Sequence, residues 1–566
     1  MTSPFTCTTD MLTFPRIKTK LILASLKDIS PATRSILAKM DPFTLFAAKI
    51  LPPDIKKKIE NGETNDDVST GEVDLGWEKS GEDFSDWKKT NQREFNKYVS
   101  PKFKTKVLRE DDFKGKLTLL ERIGTWVSTN TFFFPMKDST VFITDKEATQ
   151  IAVDLDLVEG KLLPDSYNTG FDMMSDESFS RIFFYSLGAP LIAVQKANDP
   201  AVNKDFGPFV IDMPMQKLKV RRYYRRYGAR IHFGEDQMPT AIFDYALDKY
   251  FKPGEEGWNN AKCLAKVTSF TLITAREHLI WCHLVLSNTI TTVSTLKLAP
   301  SHPLRRLLTI FTYGTTEVNH DAFDKLIIEG GILHRGIGLE YESLEEVFDV
   351  AYEQCNIYQP FTEHKLAPEV AKLAEEGKFP YITEGKEYWN IVHEFVTAWI
   401  GEAGDKAKDE QALAFYNDVK ESTKGQAYQL PDYTSDEDMI RLITQSIFTV
   451  TAHHELVGNV VDYVKLPSRS GFRMTKDHHG DNDIDLQAAM MACFLGATTS
   501  VRMPKLMKPF DNYFSAGGAP EWERGLWNDF IVELKEQSRK VQVADMARLV
   551  KFKYFDPDRF ECSVSV

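Results

Sequence analysis

A mainly α fold, with two long central helices and few small β elements, is what this sequence predicts, and three observations carry that expectation. The first is the run "WNNAKCLAKVTSFTLITAREHLIWCHLVLSNTITTVSTLKLA", Trp258 to Ala299, where apolar residues fall almost all round a helical projection. A helix of that kind belongs in the middle of a fold rather than on its surface. The second is "EDMIRLITQSIFTVTAHHELVGNVVDYV", Glu437 to Val464, which has the same character. The third is that each run carries two histidines in its apolar part, in a chain with only 12.

In chain order, residues 1–110 read as a helical or irregular extension. "SPATRSILAKMDPFTLFAAKILPPDIKKKIE" is broken by Pro42, Pro52 and Pro53, and "NGETNDDVSTGEVDLGWEKSGEDFSDWKK", Asn61 to Lys89, is an acidic, turn-rich linker. A large helical domain is expected over 111–566, with "FSRIFFYSLGAPLI" and "PTAIFDYALDKYF" punctuating its first part. The stretch "KLKVRRYYRRYGAR", Lys217 to Arg230, reads as a salt-bridged surface, with an anionic partner (lipid headgroups or a substrate carboxylate) as the alternative. "DHHGD", with Asp477 and His479 in a polar loop, reads as surface.

Composition excludes several classes of function. The 566 residues are 42% hydrophobic and 27% charged, as in ordinary globular proteins. A formal net charge of −13 argues against nucleic acid as a partner, because phosphate contacts need a surplus of Lys and Arg. The 6 cysteines are scattered without CxxC spacing, which speaks against a disulfide scaffold or zinc ribbon and for a reducing compartment. With no secretory signal and no uninterrupted apolar run of membrane-spanning length, a cytoplasmic location is expected. No glycine-rich nucleotide loop is evident.

The histidines carry the chemistry. His278 and His283 are five residues apart, so a regular α-helix projects them about 140° from each other. They converge on one ion only where the helix widens into a π-type turn, a distortion found mainly at functional sites. Otherwise they are two core histidines, each bonded to a carbonyl of a neighbouring helix. His453 or His454, with Asn459 a turn on, supplies the second helix's contribution. Three imidazoles and a neutral amide suit divalent iron or manganese with open positions better than structural zinc, calcium or magnesium.

At this point the residues resemble the lipoxygenase family. Trp258, Ala261 and Lys262 precede the His-x-x-x-x-His pair by the family's distance, and "SHPLRRLL" (Ser301 to Leu308) and "LIIEGGIL" (Leu326 to Leu333) follow it. "SIFTVTAHH" is similar to the family's third-ligand segment and aligns His454, not His453. "SDESFSR", Ser175 to Arg181, matches an upstream signature, and the ending "FECSVSV" resembles the family's Asn-Ser-Val-Ser-Ile. The resemblance spans residues from about 170 onward and implies catalytic and metal roles for His278, His283 and His454, with the Val566 carboxylate as a further ligand. It also implies that Ala322 favours an S product and that Leu326 shapes the oxygen pocket.

The activity implied is that of a non-haem iron dioxygenase. Fe(III)–OH takes hydrogen from the 1,4-pentadiene unit of a polyunsaturated fatty acid such as linoleate, and O2 adds to give a hydroperoxide. The expected partners are that fatty acid and O2, with transient contact with a membrane surface as a further expectation. The chain departs from the pattern in three places. The family's fourth side-chain ligand falls on Gly458, so either Asn459 takes over through a one-residue bulge, with Asp462 keeping the second-shell spacing, or water fills the position. Val566 stands in place of the commoner Ile, and some manganese members also end in Val, but the five-residue spacing is the iron type. The usual N-terminal β-sandwich is not recognisable. Gly458 and Glu455 keep open a hydroperoxide isomerase or an oxidase of another apolar diene, and a metal-free lipid-binding relative is the non-enzymatic alternative.

Overall fold

A 40-residue helix, Trp258–Lys297, runs through the centre of the molecule, and everything described below packs around it. The computed structural model describes residues 174–195, 204–313, 326–358, 368–458, 471–476, 519–548 and 551–564, with a few shorter pieces. The expected boundary near residue 110 falls outside the described residues, as do Asn459, Asp462, Val566 and the "DHHGD" segment.

The chain enters through helix α1, Asp176–Phe184, whose N-cap Ser175 accepts from the Ser178 N–H at 3.1 Å. Asp176 then anchors the central helix, α2. It accepts from Trp258 Nε1 at 2.7 Å and pairs with Lys262 Nζ at 2.6 Å. Gly257 starts α2 at φ +90°, where a Cβ would meet the Phe251 ring at 2.8 Å, so only glycine fits the turn. Helix α2 is long and apolar enough to cross a membrane by length and composition, contrary to the sequence expectation, but 89% of its apolar window is buried inside the protein. It is a core helix.

Between α1 and α2 lies a five-stranded antiparallel sheet in simple consecutive order: β1 Ala193–Val194, β2 Phe209–Met213, β3 Ala229–Phe233, β4 Pro239–Asp244 and β5 Lys249–Phe251. The segment "PTAIFDYALDKYF", expected within a mainly helical pattern, instead forms β4, a turn and β5. One face of the sheet meets α2, where Thr268 Oγ1 accepts from the Gly228 N–H at 3.2 Å.

The basic stretch is largely consumed by the fold. Arg221 is buried and donates to the Ile337 carbonyl at 2.5 Å, and Arg221 and Arg473 each lie about 5 Å from the Tyr224 ring centroid. Arg225 pairs with the fully buried Asp244, and Arg230 pairs with Asp212 at 2.9 Å. Of the arginines in this stretch, Arg222 and Arg226 are exposed.

Helix α3, Pro303–Phe311, is tied to helix α6, Glu521–Ala547, by the buried Arg306–Glu523 pair. Helix α4, Pro380–Ala403, stacks Phe395 on Phe530 of α6 at 4.2 Å and sets Tyr388 against Phe448. Phe448 ends the first part of the second histidine helix, α5, built from Asp436–Phe448, Thr449–His453 and His454–Gly458 in succession.

Burial keeps the His232 and His334 imidazoles neutral, lowering each to about 4, helped by Arg230 and Arg221 respectively. Because the folded values lie below the unfolded one, the stabilisation is complete above pH 6.5 and is lost as the pH falls towards 4. Each residue accounts for up to about 3 kcal/mol of that loss. Urea denaturation should show stability declining across this window, and a His232→Gln variant should flatten the decline.

Candidate metal centre

His278 and His283 stand in the middle of α2, where Ile273–Ser287 is a π-helix between two α-helical ends. That widening turns two residues that would diverge into neighbours, as the five-residue spacing requires. His454 follows a second π-helical segment, Thr449–His453, in α5. The Nε2 atoms of the three rings form a triangle, each 3.1 Å from the other two. They face one another rather than the carbonyls of neighbouring helices, so the reading as separate core histidines does not hold.

This triangle tests the fit to a metal. Three imidazole nitrogens this close together fit around one ion, and the group leaves the rest of its coordination sphere to other ligands. Among the described residues these three are the group that could hold an ion, with ligand atoms all within 4.8 Å. Burial, then the neighbouring His283 and His453, push the His278 imidazole well below its ordinary value, so it stays in the neutral form that can ligate.

The protonation of His283 follows from its partner. Asn319 Nδ2 donates to the His283 carbonyl at 2.8 Å, which turns Asn319 Oδ1 towards His283 Nδ1 at 3.2 Å. An amide oxygen only accepts, so Nδ1 carries the proton and Nε2 points its lone pair into the triangle. The same carbonyl also accepts from Ser287 Oγ at 2.8 Å and from the Asn288 N–H of the π-ladder. Asn319 is fully buried and was not singled out from sequence, although it opens the "NHDAFDKL" segment that holds Ala322 and Leu326. Ala322 is buried and Leu326 half-buried.

Gly458 lies one turn after His454 and faces the centre. A Cβ there would stand 3.5 Å from His278 Nε2 and 3.7 Å from His454 Nε2. Position 458 is therefore within reach of the ion's site but offers no donor. Next to the triangle, sequence reasoning left His453 unassigned and did not single out Glu277. His453 Nε2 lies 3.3 Å from Glu277 Oε2, and Glu277 Oε1 accepts from Arg276 Nε at 3.0 Å. Burial alone would raise the Glu277 carboxyl, but Arg276 and His453 overcome it and hold it near 2. Glu455 accepts from Arg559 Nε at 3.2 Å, which ties α5 to the tail of the chain.

Residues 248–465, which contain all three histidines and Gly458, match the family model described as lipoxygenase. That segment is similar to a lipoxygenase catalytic domain. Over 340 residues it is 24% identical to the human polyunsaturated fatty acid lipoxygenase ALOX15B, and over 339 residues 23% identical to the linoleate 9/13-lipoxygenase of Pseudomonas aeruginosa. These alignments cover 56% and 55% of this chain and 49% and 48% of the relatives, so the match spans about half their length. The fold is similar to that of a coral 8R-lipoxygenase, with a TM-score of 0.68 at 17% identity over 85% of this chain and 80% of that one. It is also similar to a lipoxygenase solved in complex with arachidonate, with a TM-score of 0.66 at 16% identity over the same shares.

His283 is thus oriented by a buried amide, Asn319. Replacing Asn319 by Leu removes the acceptor for His283 Nδ1 and should weaken Fe(II) binding by about 10–100-fold. Competition with a chromogenic chelator measures this, and unchanged affinity would show that Asn319 does not orient the ring.

Proposed function

We propose that this lipoxygenase-like domain is an iron dioxygenase that inserts O2 into the pentadiene unit of a polyunsaturated fatty acid and releases a hydroperoxide. The observation that carries the reading is the 3.1 Å triangle of imidazole nitrogens. His278, His283 and His454 would hold the ion, the resemblance adds a carboxylate at Val566, and Asn459 or water would serve at the ligand position that falls on Gly458. The burial of Cys562–Val564 supports the carboxylate, since it carries the described tail into the core. The resemblance favours iron over manganese, because the five-residue spacing of the first pair is the one the family's iron members carry. Iron bound there supplies the one-electron chemistry that removing a hydrogen atom from a doubly allylic methylene requires.

The chain's own residues do the rest. Burial keeps the His278 imidazole in the unprotonated form that can ligate. Apolar neighbours along both helices, among them Leu279, Leu284, Val450 and Leu456, keep water from a carbon radical. Ala322 follows Asn319 by three residues, and Asn319 touches His283. A methyl there shields one end of the radical from O2, which favours the S hydroperoxide, and Leu326 bounds the oxygen pocket. The substrates named for the human and bacterial relatives support the substrate class.

Purified protein should contain one iron per chain, and with linoleate it should consume one O2 per conjugated diene formed. His283→Ala should lose both the iron and the oxygen uptake. Product formation without O2 uptake would instead indicate isomerase chemistry, and iron-free protein would indicate a lipid-binding relative. Chiral-phase chromatography of the products should show a larger R fraction for Ala322→Gly, and an unchanged ratio would remove Ala322 from the oxygen-directing role.

A further inference from the structure

Of the adjacent histidines in α5, His454 joins the triangle and His453 is left over. Its partner, Glu277, stands in the mirror position, immediately before His278 in α2. The two side chains meet at 3.3 Å, and both residues are buried, at 2% and 9% exposure for Glu277 and His453. Each lies in a π-helical segment, Glu277 within Ile273–Ser287 and His453 at the end of Thr449–His453. Glu277 is itself held from the other side. Its second oxygen accepts from Arg276 Nε and Nη2 at 3.0 and 2.5 Å, and the Arg276 guanidinium sits 5.0 Å from the Trp281 ring centroid. Trp281 Nε1 in turn donates to the Ala351 carbonyl at 2.7 Å.

A buried carboxylate–imidazole pair is a costly way to hold two helices together, since well-packed apolar residues of similar volume do it as well or better. What such a pair supplies is register. Apolar contacts tolerate sliding, whereas a carboxylate oxygen meeting a ring nitrogen does not survive a shift of one residue in either helix. Register matters here because the triangle depends on π-turns. If α2 relaxed to regular α geometry, His278 and His283 would swing about 140° apart. We infer that the Glu277–His453 pair is a brace that pins the two π-segments to each other and so positions the three histidines for the metal. Glu277 and His453 are positioning residues: both carboxylate oxygens are engaged by Arg276 and His453, and neither residue belongs to the group that could hold the ion. This inference rests on the metal reading above.

The test measures Fe(II) affinity by anaerobic chelator competition, the EPR line shape of the Fe(II) protein exposed to nitric oxide, and the stability of the metal-free protein in urea. Glu277→Gln and His453→Phe should each weaken Fe(II) binding by about 10–100-fold and broaden the EPR signal. The double variant Glu277→Leu with His453→Leu should recover stability but neither affinity nor line shape. His453→Gln, which keeps a donor towards Glu277, should stay close to the unsubstituted protein in all three measurements. Recovery of affinity by the leucine pair would reduce the role to packing and overturn the brace, as would loss of affinity in His453→Gln. Variants that bind Fe(II) as well as the unsubstituted protein overturn the brace alone. An unsubstituted protein that takes up no Fe(II) overturns the metal centre and the brace with it.

Discussion

Three imidazoles with their Nε2 nitrogens 3.1 Å apart make an arrangement that a protein interior does not favour by itself. Polar ring nitrogens drawn together away from water carry a cost unless something meets them there. The arrangement makes sense when a cation satisfies all three at once, and the rest of the structure is organised to keep them ready for one. The widened turns in α2 and α5 bring the rings onto one point, and the fixed proton on His283 Nδ1 turns its lone pair inward.

The π-helical segments cost regular backbone bonding, and the surrounding side chains offset this in a consistent way. The His283 carbonyl takes donors from Ser287 and Asn319. Thr451, inside the second π-segment, donates to the Ile447 carbonyl at 2.6 Å and meets the Tyr388 hydroxyl at 2.7 Å. Cys282 Sγ approaches the Thr449 carbonyl at 3.8 Å, from one π-segment to the other. Tyr388 comes from α4, which also packs on α6, so the outer helices reach the centre through single polar contacts. Both ends of α2 are also fixed. Asp176 grips its start, and Lys297 at its end pairs with Asp418 at 2.8 Å.

Much of this was legible in the sequence, for identifiable reasons. A run as apolar as Trp258 to Ala299 has no place except the core, and a five-residue histidine spacing makes sense as a site only with a π-turn, which is what α2 contains. The β4–β5 region was hard to see because Ala241, Ile242 and Phe243 form an unbroken apolar run, and buried strands of that kind look like buried helix when read alone. Arg221 reads as a surface cation until the Ile337 carbonyl, more than a hundred residues away, is known to lie beside it. Asn319 and Glu277 were invisible for the same reason, as was the partner of His453. Their roles are set by partners on other elements, and no local pattern records a contact across 176 residues such as Glu277–His453.

The most direct test of the account is X-ray absorption at the iron edge of Fe(II)-loaded protein. Three imidazole nitrogens at about 2.1–2.2 Å in a six-coordinate shell with oxygen donors are the predicted result. A four-coordinate shell, or one with fewer than three imidazoles, would contradict it.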